Sequence, residues 1–307
     1  MSKSIVLFPG QGSQFIGMGK ALFDSVPSAK LLLEEADDTL GFSLSSLMLE
    51  GPEEQLKQTQ NTQPALYTAG MMAWSMYSEE GLTTDYVAGH SLGEYTAIAA
   101  AGGLSFAEGL KLVRLRGELM ASAGEKAPGA MSAILGMDEA DLAGILETAQ
   151  SAGVVVAANF NCPGQIVISG SPTGVSKAGE LAADLGKKVV PLPVSGAFHS
   201  PLMDFAKAGL AEGIHNANIK DLDIPLIANV SAEVVRDSET IAKLLVEQLT
   251  GSVQWTGSMQ QAVSLGITKG AELGAGRVLM GLTRKISRDI KISPIDSPEA
   301  LAKFKGV

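Results

Sequence analysis

The sequence predicts an α/β protein, a mainly parallel sheet covered by helices with a smaller ferredoxin-like βαββαβ unit inserted into it. Short apolar β-type runs alternate with longer helical patterns, as they do when a parallel sheet is buried between helices. Between residues 127 and 194 the rhythm changes to strand, helix, strand, strand, helix, strand, the order of a ferredoxin-like unit. The chain has 307 residues, 46% apolar and 18% charged, enough to bury a core without disulfides or a structural metal.

The elements follow in order. Ile5–Phe8 reads as a strand ending in the turn Pro9-Gly10-Gln11-Gly12; its apolar run is too short for a signal peptide. Helical patterns cover Met18–Ser25 and Ala29–Thr39, whereas Ser43–Thr62 is polar and irregular. Pro64 is expected in the first turn of a helix over Ala65–Ser78, where its missing N–H costs nothing. A strand, Tyr86–Ala88, runs into Gly89-His90-Ser91-Leu92-Gly93 and a helix over Glu94–Ala101. Ser105 and Glu108 have capping-box spacing before the helix Phe106–Ala123, which carries Arg114 and Arg116. The inserted unit has strands at Ala130–Leu135, Val154–Asn159, Gln165–Ser169 and Lys188–Val194, and helices at Asp138–Ser151 and Ser171–Leu185. Lys126–Gly129 and Pro191–Gly196 are its Pro/Gly-marked junctions. Residues 1–126 and 195–307 are therefore expected to form the large domain, and 127–194 the inserted subdomain. Beyond it come a helix (Pro201–Ala217), a strand (Ile224–Ala228), helices at Ser238–Leu249 and Thr256–Leu265, a strand (Thr268–Leu273) and a final helix (Arg277–Arg288). No internal repeat is visible.

Charge and cysteine content narrow the function. A net charge of −10 argues against non-specific nucleic-acid binding. The most apolar stretch, Tyr95–Leu104, is broken by Gly102 and Gly103 and falls short of the roughly 18–20 residues of a membrane span. The single cysteine, Cys162, makes no internal disulfide and no cysteine-based zinc site, so a cytoplasmic setting is expected.

Gly89-His90-Ser91-Leu92-Gly93 fits G-x-S-x-G. A strand turning directly into a helix exposes the central hydroxyl at the carboxyl end of the sheet, and only small residues two before and two after leave room for the chain. The helix N-terminus offers free N–H groups to a developing oxyanion. The large sheet is thus expected to be hydrolase-like and catalytic, although a purely structural Gly-rich turn reads the same way. Serine needs a general base, and there are three histidines. His90 adjoins Ser91 and its side chain should point away. His215 lies near the end of a polar-faced helix and reads as solvated. His199 follows a predicted strand end, where sites of open α/β sheets assemble; a buried structural histidine is the competing reading. No acid between Ser91 and His199 occupies a suitable loop: Asp138, Glu139, Asp141, Glu147, Glu180 and Asp184 all fall on helices of the inserted unit, and earlier acids such as Glu94, Glu108 and Glu118 sit on helices too. A neutral carbonyl is left to orient the imidazole, which argues mildly against an ordinary hydrolase triad.

Together these residues resemble the malonyl-CoA:acyl carrier protein transacylase family over the whole chain. The segments that carry the similarity are Phe8-Pro9-Gly10-Gln11-Gly12-Ser13-Gln14, Gln63-Pro64-Ala65, Gly89 to Glu94, Arg114-Leu115-Arg116-Gly117, Asn159-Phe160-Asn161, Gly196-Ala197-Phe198-His199-Ser200 and Gln254-Trp255. Gly274-Ala275-Gly276-Arg277 departs from the pattern, which would have Pro and Lys in the second and fourth places. The resemblance implies Ser91 as acyl-accepting nucleophile, His199 as general base, and backbone N–H groups of Gln11 and Leu92 as oxyanion donors. It also implies the Gln248 main-chain carbonyl as orienter of the histidine and Arg116 as carboxylate clamp. From the chain alone Arg116 reads better as an ordinary helix-surface arginine, and only the resemblance reverses that reading. A guanidinium nonetheless suits a malonyl carboxylate, which it can pair bidentately. Phe198 would crowd a branched α-carbon, and Leu92 and Phe198 resemble malonyl-type variants of their motifs.

The implied reaction carries malonyl from coenzyme A to the phosphopantetheine thiol of acyl carrier protein, with no metal or other cofactor, in a monomer that binds neither nucleic acid nor membrane. Lys187-Lys188 and Arg284-Lys285 with Arg288 are candidate contacts for an acidic carrier, although a solvated charged face is at least as good a reading. Competing functions are a serine thioesterase or esterase, a malonyltransferase of a polyketide or malonate decarboxylase system, and a non-catalytic carrier-binding protein.

Overall fold

Ten strands are defined in the computed structural model, which describes residues 2–126, 128–194 and 196–306. They are β1 (Lys3–Phe8), β2 (Tyr86–Gly89), β3 (Ala130–Leu135), β4 (Val155–Cys162), β5 (Gln165–Gly170), β6 (Lys188–Pro191), β7 (Leu226–Ile227), β8 (Val234–Val235), β9 (Ile267–Leu273) and β10 (Lys291–Ile295). Two sheets result, ordered β10-β9-β1-β2-β7-β8 and β4-β5-β3-β6. The larger sheet is parallel except for the β7–β8 pair. Alternate residues of β1 explain its central place: Val6 and Phe8 pack into one core and Ile5 and Leu7 into another on the opposite face, all fully buried. An uninterrupted apolar strand is what a doubly covered parallel sheet requires. Phe8 stands in register with Gly89, so the turns that follow β1 and β2 emerge side by side at the carboxyl end of the sheet.

The smaller sheet is antiparallel throughout, with the strand order of a ferredoxin-like unit. Ile134 faces the helices Glu139–Ala149 and Pro172–Asp184, while Met131 and Ala133 face the large core. Its strand β4 also meets the large unit through a bridge between Asn159 and Val253.

Several elements differ from the sequence reading. Ser43–Thr62 is not irregular; it contains the helices Leu44–Leu49 and Glu53–Leu56 and the start of Thr59–Glu79. Leu44, Leu47, Met48 and Leu56 are buried, an apolar stripe that the surrounding polar residues mask. Pro64 consequently lies inside the long helix, not at its start. The carbonyl that loses its N–H partner there is Gln60, and Arg114 Nη1 donates to it at 2.9 Å. β7 is shorter than the strand expected at Ile224–Ala228 and pairs with β8, which the sequence reading lacks; β6 stops at Pro191, and Pro201–Ala206 is a 3-10 turn before the helix Lys207–Asn216. The last predicted helix contracts to Val278–Ile286, and β10 and a helix, Pro298–Lys305, follow it. Pro294 in β10 is tolerated because β10 is an edge strand. The capping box of Ser105 and Glu108 is present, each residue accepting from the other's backbone N–H at 3.2–3.3 Å. Ala127 and Ser195, at the two expected junctions, lie outside the described residues, as do the terminal Met1 and Val307. Among the described residues no helix is long and apolar enough to cross a membrane.

Candidate active site

Ser91 sits between the end of β2 and the helix Leu92–Ala100, with φ 52° and ψ −105°, a conformation that costs an L-residue energy and must be imposed by its surroundings. A Cβ at Gly89 would collide with the Gly93 carbonyl, and one at Gly93 with the Phe8 carbonyl, so both glycines are fixed by close approach of backbone. Asn229, at the carboxyl end of β7, staples the bend. Its Oδ1 accepts the Ser91 N–H at 2.7 Å and its Nδ2 donates to Gly89 O at 2.6 Å.

His199 lies in the loop before the turn Pro201–Ala206, with φ 57°. Its Nε2 is 2.8 Å from Ser91 Oγ, and its Nδ1 is 2.8 Å from Gln248 O and 3.2 Å from Gly251 O. Two carbonyls at Nδ1 fix the tautomer: Nδ1 carries the proton, and Nε2 presents a lone pair to the serine hydroxyl. Gln248 is the last residue of the helix Ser238–Gln248. Its carbonyl has no intrahelical partner, and it lies at the negative end of the helix dipole. A helix C-terminus thus stands where a hydrolase would place a carboxylate. Burial, followed by the nearby Arg116 cation, lowers the His199 pKa to about 3, so the imidazole is neutral at ordinary pH.

Arg116 is 1% exposed, which removes the surface-arginine reading. Nη2 donates to Ser91 Oγ at 3.1 Å and to Gln248 Oε1 at 2.8 Å, and Nη1 to Gln63 Oε1 at 2.9 Å. The Tyr95 ring lies 5.3 Å away, and Nε has no partner. Burial lowers its pKa, but a guanidinium keeps its charge in a protein. Among the described residues no carboxylate forms a salt bridge with it. A buried cation held by neutral amides and a hydroxyl is a ready receptor for an anionic group.

A cleft of about 110 Å³ opens over this set, with Gln11, Met131, Asn159 and Phe198 in its walls. Leu92 is the first residue of its helix, so its N–H has no intrahelical partner. Gln11, in the neighbouring turn, is held by its side chain, which donates to Thr59 Oγ1 at 3.3 Å. Phe198 is buried, and its ring occupies the space beside Gly196. His90 turns away as expected: Nε2 meets Asn161 Oδ1 at 2.8 Å, and the ring packs on Trp255. His215 is exposed at the end of its helix. A larger hollow beside Phe15, Lys20 and Asp296 contains no comparable cluster. Among the described residues no group of three or more His, Cys, Asp or Glu is placed to hold a metal ion.

Sequence reasoning missed Asn229 and the use made of Glu94. Glu94 is 1% exposed. Its Oε1 accepts the Asn229 N–H at 2.8 Å and its Oε2 the Gln248 Nε2 at 2.5 Å. The available signal was a lone acid in an alanine-rich apolar helix.

A model of the acyl transferase domain family matches residues 5–290. The chain belongs to the acyl transferase family. Within it, the malonyl CoA-acyl carrier protein transacylase of Bacillus subtilis is 48% identical over 303 residues, covering 98% of this chain and 96% of that protein. The crystal structure of the malonyl-CoA:acyl carrier protein transacylase of Xanthomonas oryzae pv. oryzae superposes with a TM-score of 0.95 at 42% identity, covering 99% of this chain and 98% of the other. A malonyl-transacylase solved in complex with its type II PKS acyl-carrier protein also gives 0.95, at 36% identity and 98% of each chain. At these identities and coverages the family resemblance of the sequence motifs is established, and the chain is an acyltransferase of this family.

Proposed function

We propose that the protein transfers the malonyl group of malonyl-CoA to the phosphopantetheine thiol of acyl carrier protein, through a malonyl-Ser91 ester, in the supply of fatty acid synthesis. One observation carries the reading. Ser91 Oγ lies 2.8 Å from a neutral imidazole and 3.1 Å from a buried guanidinium, so nucleophile, base and carboxylate receptor share one point.

His199 Nε2 takes the proton as Ser91 Oγ attacks the thioester carbonyl, and the oxyanion rests on the N–H groups of Gln11 and Leu92. As the tetrahedral intermediate collapses, the C–S bond breaks, and coenzyme A leaves with the proton held by His199. The carrier thiol then gives its proton to His199 and attacks the ester, and Ser91 recovers a proton as it departs. Gln248 O and the helix end behind it stabilise the imidazolium in both halves. Arg116 holds the malonyl carboxylate throughout; an uncharged acetyl group would leave this buried cation unmatched. Phe198 leaves no room for an α-branch.

The same proposal divides the chain into a catalytic domain, 1–126 with 195–307, and an inserted subdomain, 127–194, whose β3 and β4 supply Met131 and Asn159 to the cleft wall. It describes a cytoplasmic monomer that binds acyl carrier protein and coenzyme A thioesters, needs no further cofactor, and binds neither nucleic acid nor membrane. A thioesterase would use Ser91 and His199 but gives Arg116 no task. The test is exposure to malonyl-CoA alone, followed by peptide mass spectrometry and addition of holo-carrier. One malonyl group on Ser91 that passes to the carrier thiol supports the proposal. An unmodified Ser91, or release of free malonate in place of transfer, overturns it.

A further inference from the structure

The acid missing from the histidine is present one layer deeper. Beneath Ser91 the Gln248 amide touches two parts of the site: Nε2 donates to Ser91 O at 2.9 Å, and Oε1 accepts from Arg116 at 2.8 Å. An amide can make those two bonds in only one orientation. Glu94 selects it, because its Oε2 accepts the second Nε2 proton. Through Oε1 the same carboxylate holds the backbone N–H of Asn229, whose side chain grips both sides of the Ser91 bend.

We propose that Glu94 is a positioning residue. Its ionised carboxylate locks the Gln248 amide and the Asn229 staple, and so sets both the Arg116 guanidinium and the strained Ser91 backbone. This deepens the malonyl-transfer reading and rests on it for the role of Arg116.

The chemistry gives the device a sign. An ionised carboxylate only accepts hydrogen bonds, and both groups facing it are donors. A proton on Glu94, or an amide in its place, sets donor against donor. Gln248 must then either lose its bond to Glu94 or flip, which would turn its NH₂ toward Arg116 and its oxygen toward Ser91 O. Burial raises the Glu94 pKa to about 7, opposed by the Asn229 and Gln248 bonds and the Arg116 charge. Of the other titratable groups of the site, Tyr95 is next to it in the helix and feels its charge, while burial pushes His199 and His90 toward neutrality. The activity is therefore expected to fall on the acid side near neutrality while His199 is still neutral.

The test measures two rates from pH 5 to 9, malonyl-enzyme formation from malonyl-CoA and sulfonylation of Ser91 by phenylmethylsulfonyl fluoride. The second needs no malonyl group, so a failed function reading leaves it intact: a wild type inert to malonyl-CoA but sulfonylated sinks that reading alone. Glu94→Gln should slow both rates on the order of 10²-fold, the scale of a misplaced reacting group. It should also narrow malonyl-over-acetyl preference and flatten the acid limb. Gln248→Leu keeps the carboxylate and its Asn229 bond but cuts the link to Arg116; it should lose the malonyl preference and flatten the acid limb of malonyl-enzyme formation, and the double variant should be no slower than the slower single. If Glu94→Gln does not fold, the Gln248→Leu profile decides. Near-wild-type rates in Glu94→Gln, or an unaltered acid limb of malonyl-enzyme formation in Gln248→Leu, overturn the proposal.

Discussion

Arg114 Nη1 donates at 2.9 Å to the carbonyl of Gln60, the acceptor that Pro64 leaves without a helical N–H. Two long helices, Thr59–Glu79 and Phe106–Lys126, are tied at the point where the first would be weakest. Arg114→Ala should destabilise the fold by at least about 1 kcal/mol, the net worth of that one partly buried hydrogen bond, since the guanidinium also donates to Asn61 Oδ1 at 2.8 Å and to Glu118 Oε1 at 2.6 Å. Pro64→Ala restores the missing donor, so the double variant should lose less than the sum of the singles. Urea unfolding of all four proteins measures the coupling, and additivity to within about 0.3 kcal/mol would mean that the two positions are independent.

The bend at Ser91 makes a sharper demand. Gly93 approaches the Phe8 carbonyl so closely that a Cβ cannot enter without moving β1 or the helix. Gly93→Ala should cost at least about 3 kcal/mol, the upper end of ordinary overpacking, because both neighbours are backbone elements of the central sheet. Thermal unfolding checks the loss, and sulfonylation of Ser91 checks whether the surviving fold keeps its nucleophile exposed. A stable, fully reactive Gly93→Ala protein would show that this backbone approach is not tight.

What the chain reveals by itself follows a physical line. The strand Ala130–Leu135 is legible to the residue, because Pro and Gly mark its flank and its apolar residues have two faces to bury. The strand at Ile224–Ala228 is legible although β7 keeps only two of its residues, whereas β8 and the edge strand β10 are not: a two-residue strand has no periodicity, and Ser293 and Pro294 interrupt the apolar pattern of β10. Ser91 and His199 stand out because few residues can do their chemistry. The Gln248 carbonyl cannot, since every residue has one; only family resemblance pointed to it. Glu94 and Asn229 lie 135 positions apart, and nothing local ties an acid on a helix to an asparagine after a two-residue strand.

Arg116 offers a test of substrate choice that separates charge from shape. Arg116→Ala should lower kcat/KM for malonyl-CoA about 10²-fold, the equivalent of a charge-assisted hydrogen bond lost at 1.4 kcal/mol per tenfold. Acetyl-CoA should be spared or improved, because no cation is left unmatched. Arg116→Lys should recover only part of the malonyl rate, since a point charge cannot reproduce the planar fork. An acyl-CoA panel with malonyl, methylmalonyl and acetyl groups reads all three effects; unchanged preference in Arg116→Ala would remove the clamp.

The neutral His199 has a consequence for stability. Its folded pKa, about 3, lies below the unfolded value of 6.5, so between these limits the unfolded chain binds a proton that the native protein refuses. The native state must therefore lose stability as pH falls from 6.5 toward 3. Glu94 works in the opposite direction between its ordinary 4.5 and about 7, where the native state holds the extra proton. Removing the imidazole isolates its part: His199→Gln should gain stability relative to wild type as pH drops from 7 to 5. Melting temperatures of the two proteins at each pH give the comparison, and a constant difference would mean that His199 titrates normally in the folded state.

The carrier must meet a local basic surface, because the chain as a whole carries −10 and acyl carrier proteins are usually acidic. Arg284 and Lys285 are exposed at the end of the helix Val278–Ile286, which packs on β4, the strand that brings Asn159 to the cleft. Arg288 is exposed just beyond it. Lys188 starts β6, with Lys187 just before it, and the far end of that strand leads to Leu192 and Val194 in the cleft wall. The first cluster has three cations against two and is the better candidate. Reversing Arg284 and Lys285 to Glu should raise KM for the carrier about tenfold at low ionic strength, with the gap closing as salt screens the field. KM for malonyl-CoA, whose acyl end is held in the buried site, should barely move. Steady-state kinetics at two salt concentrations separate the cases; equal effects on both substrates, or none on the carrier, would move the docking surface elsewhere.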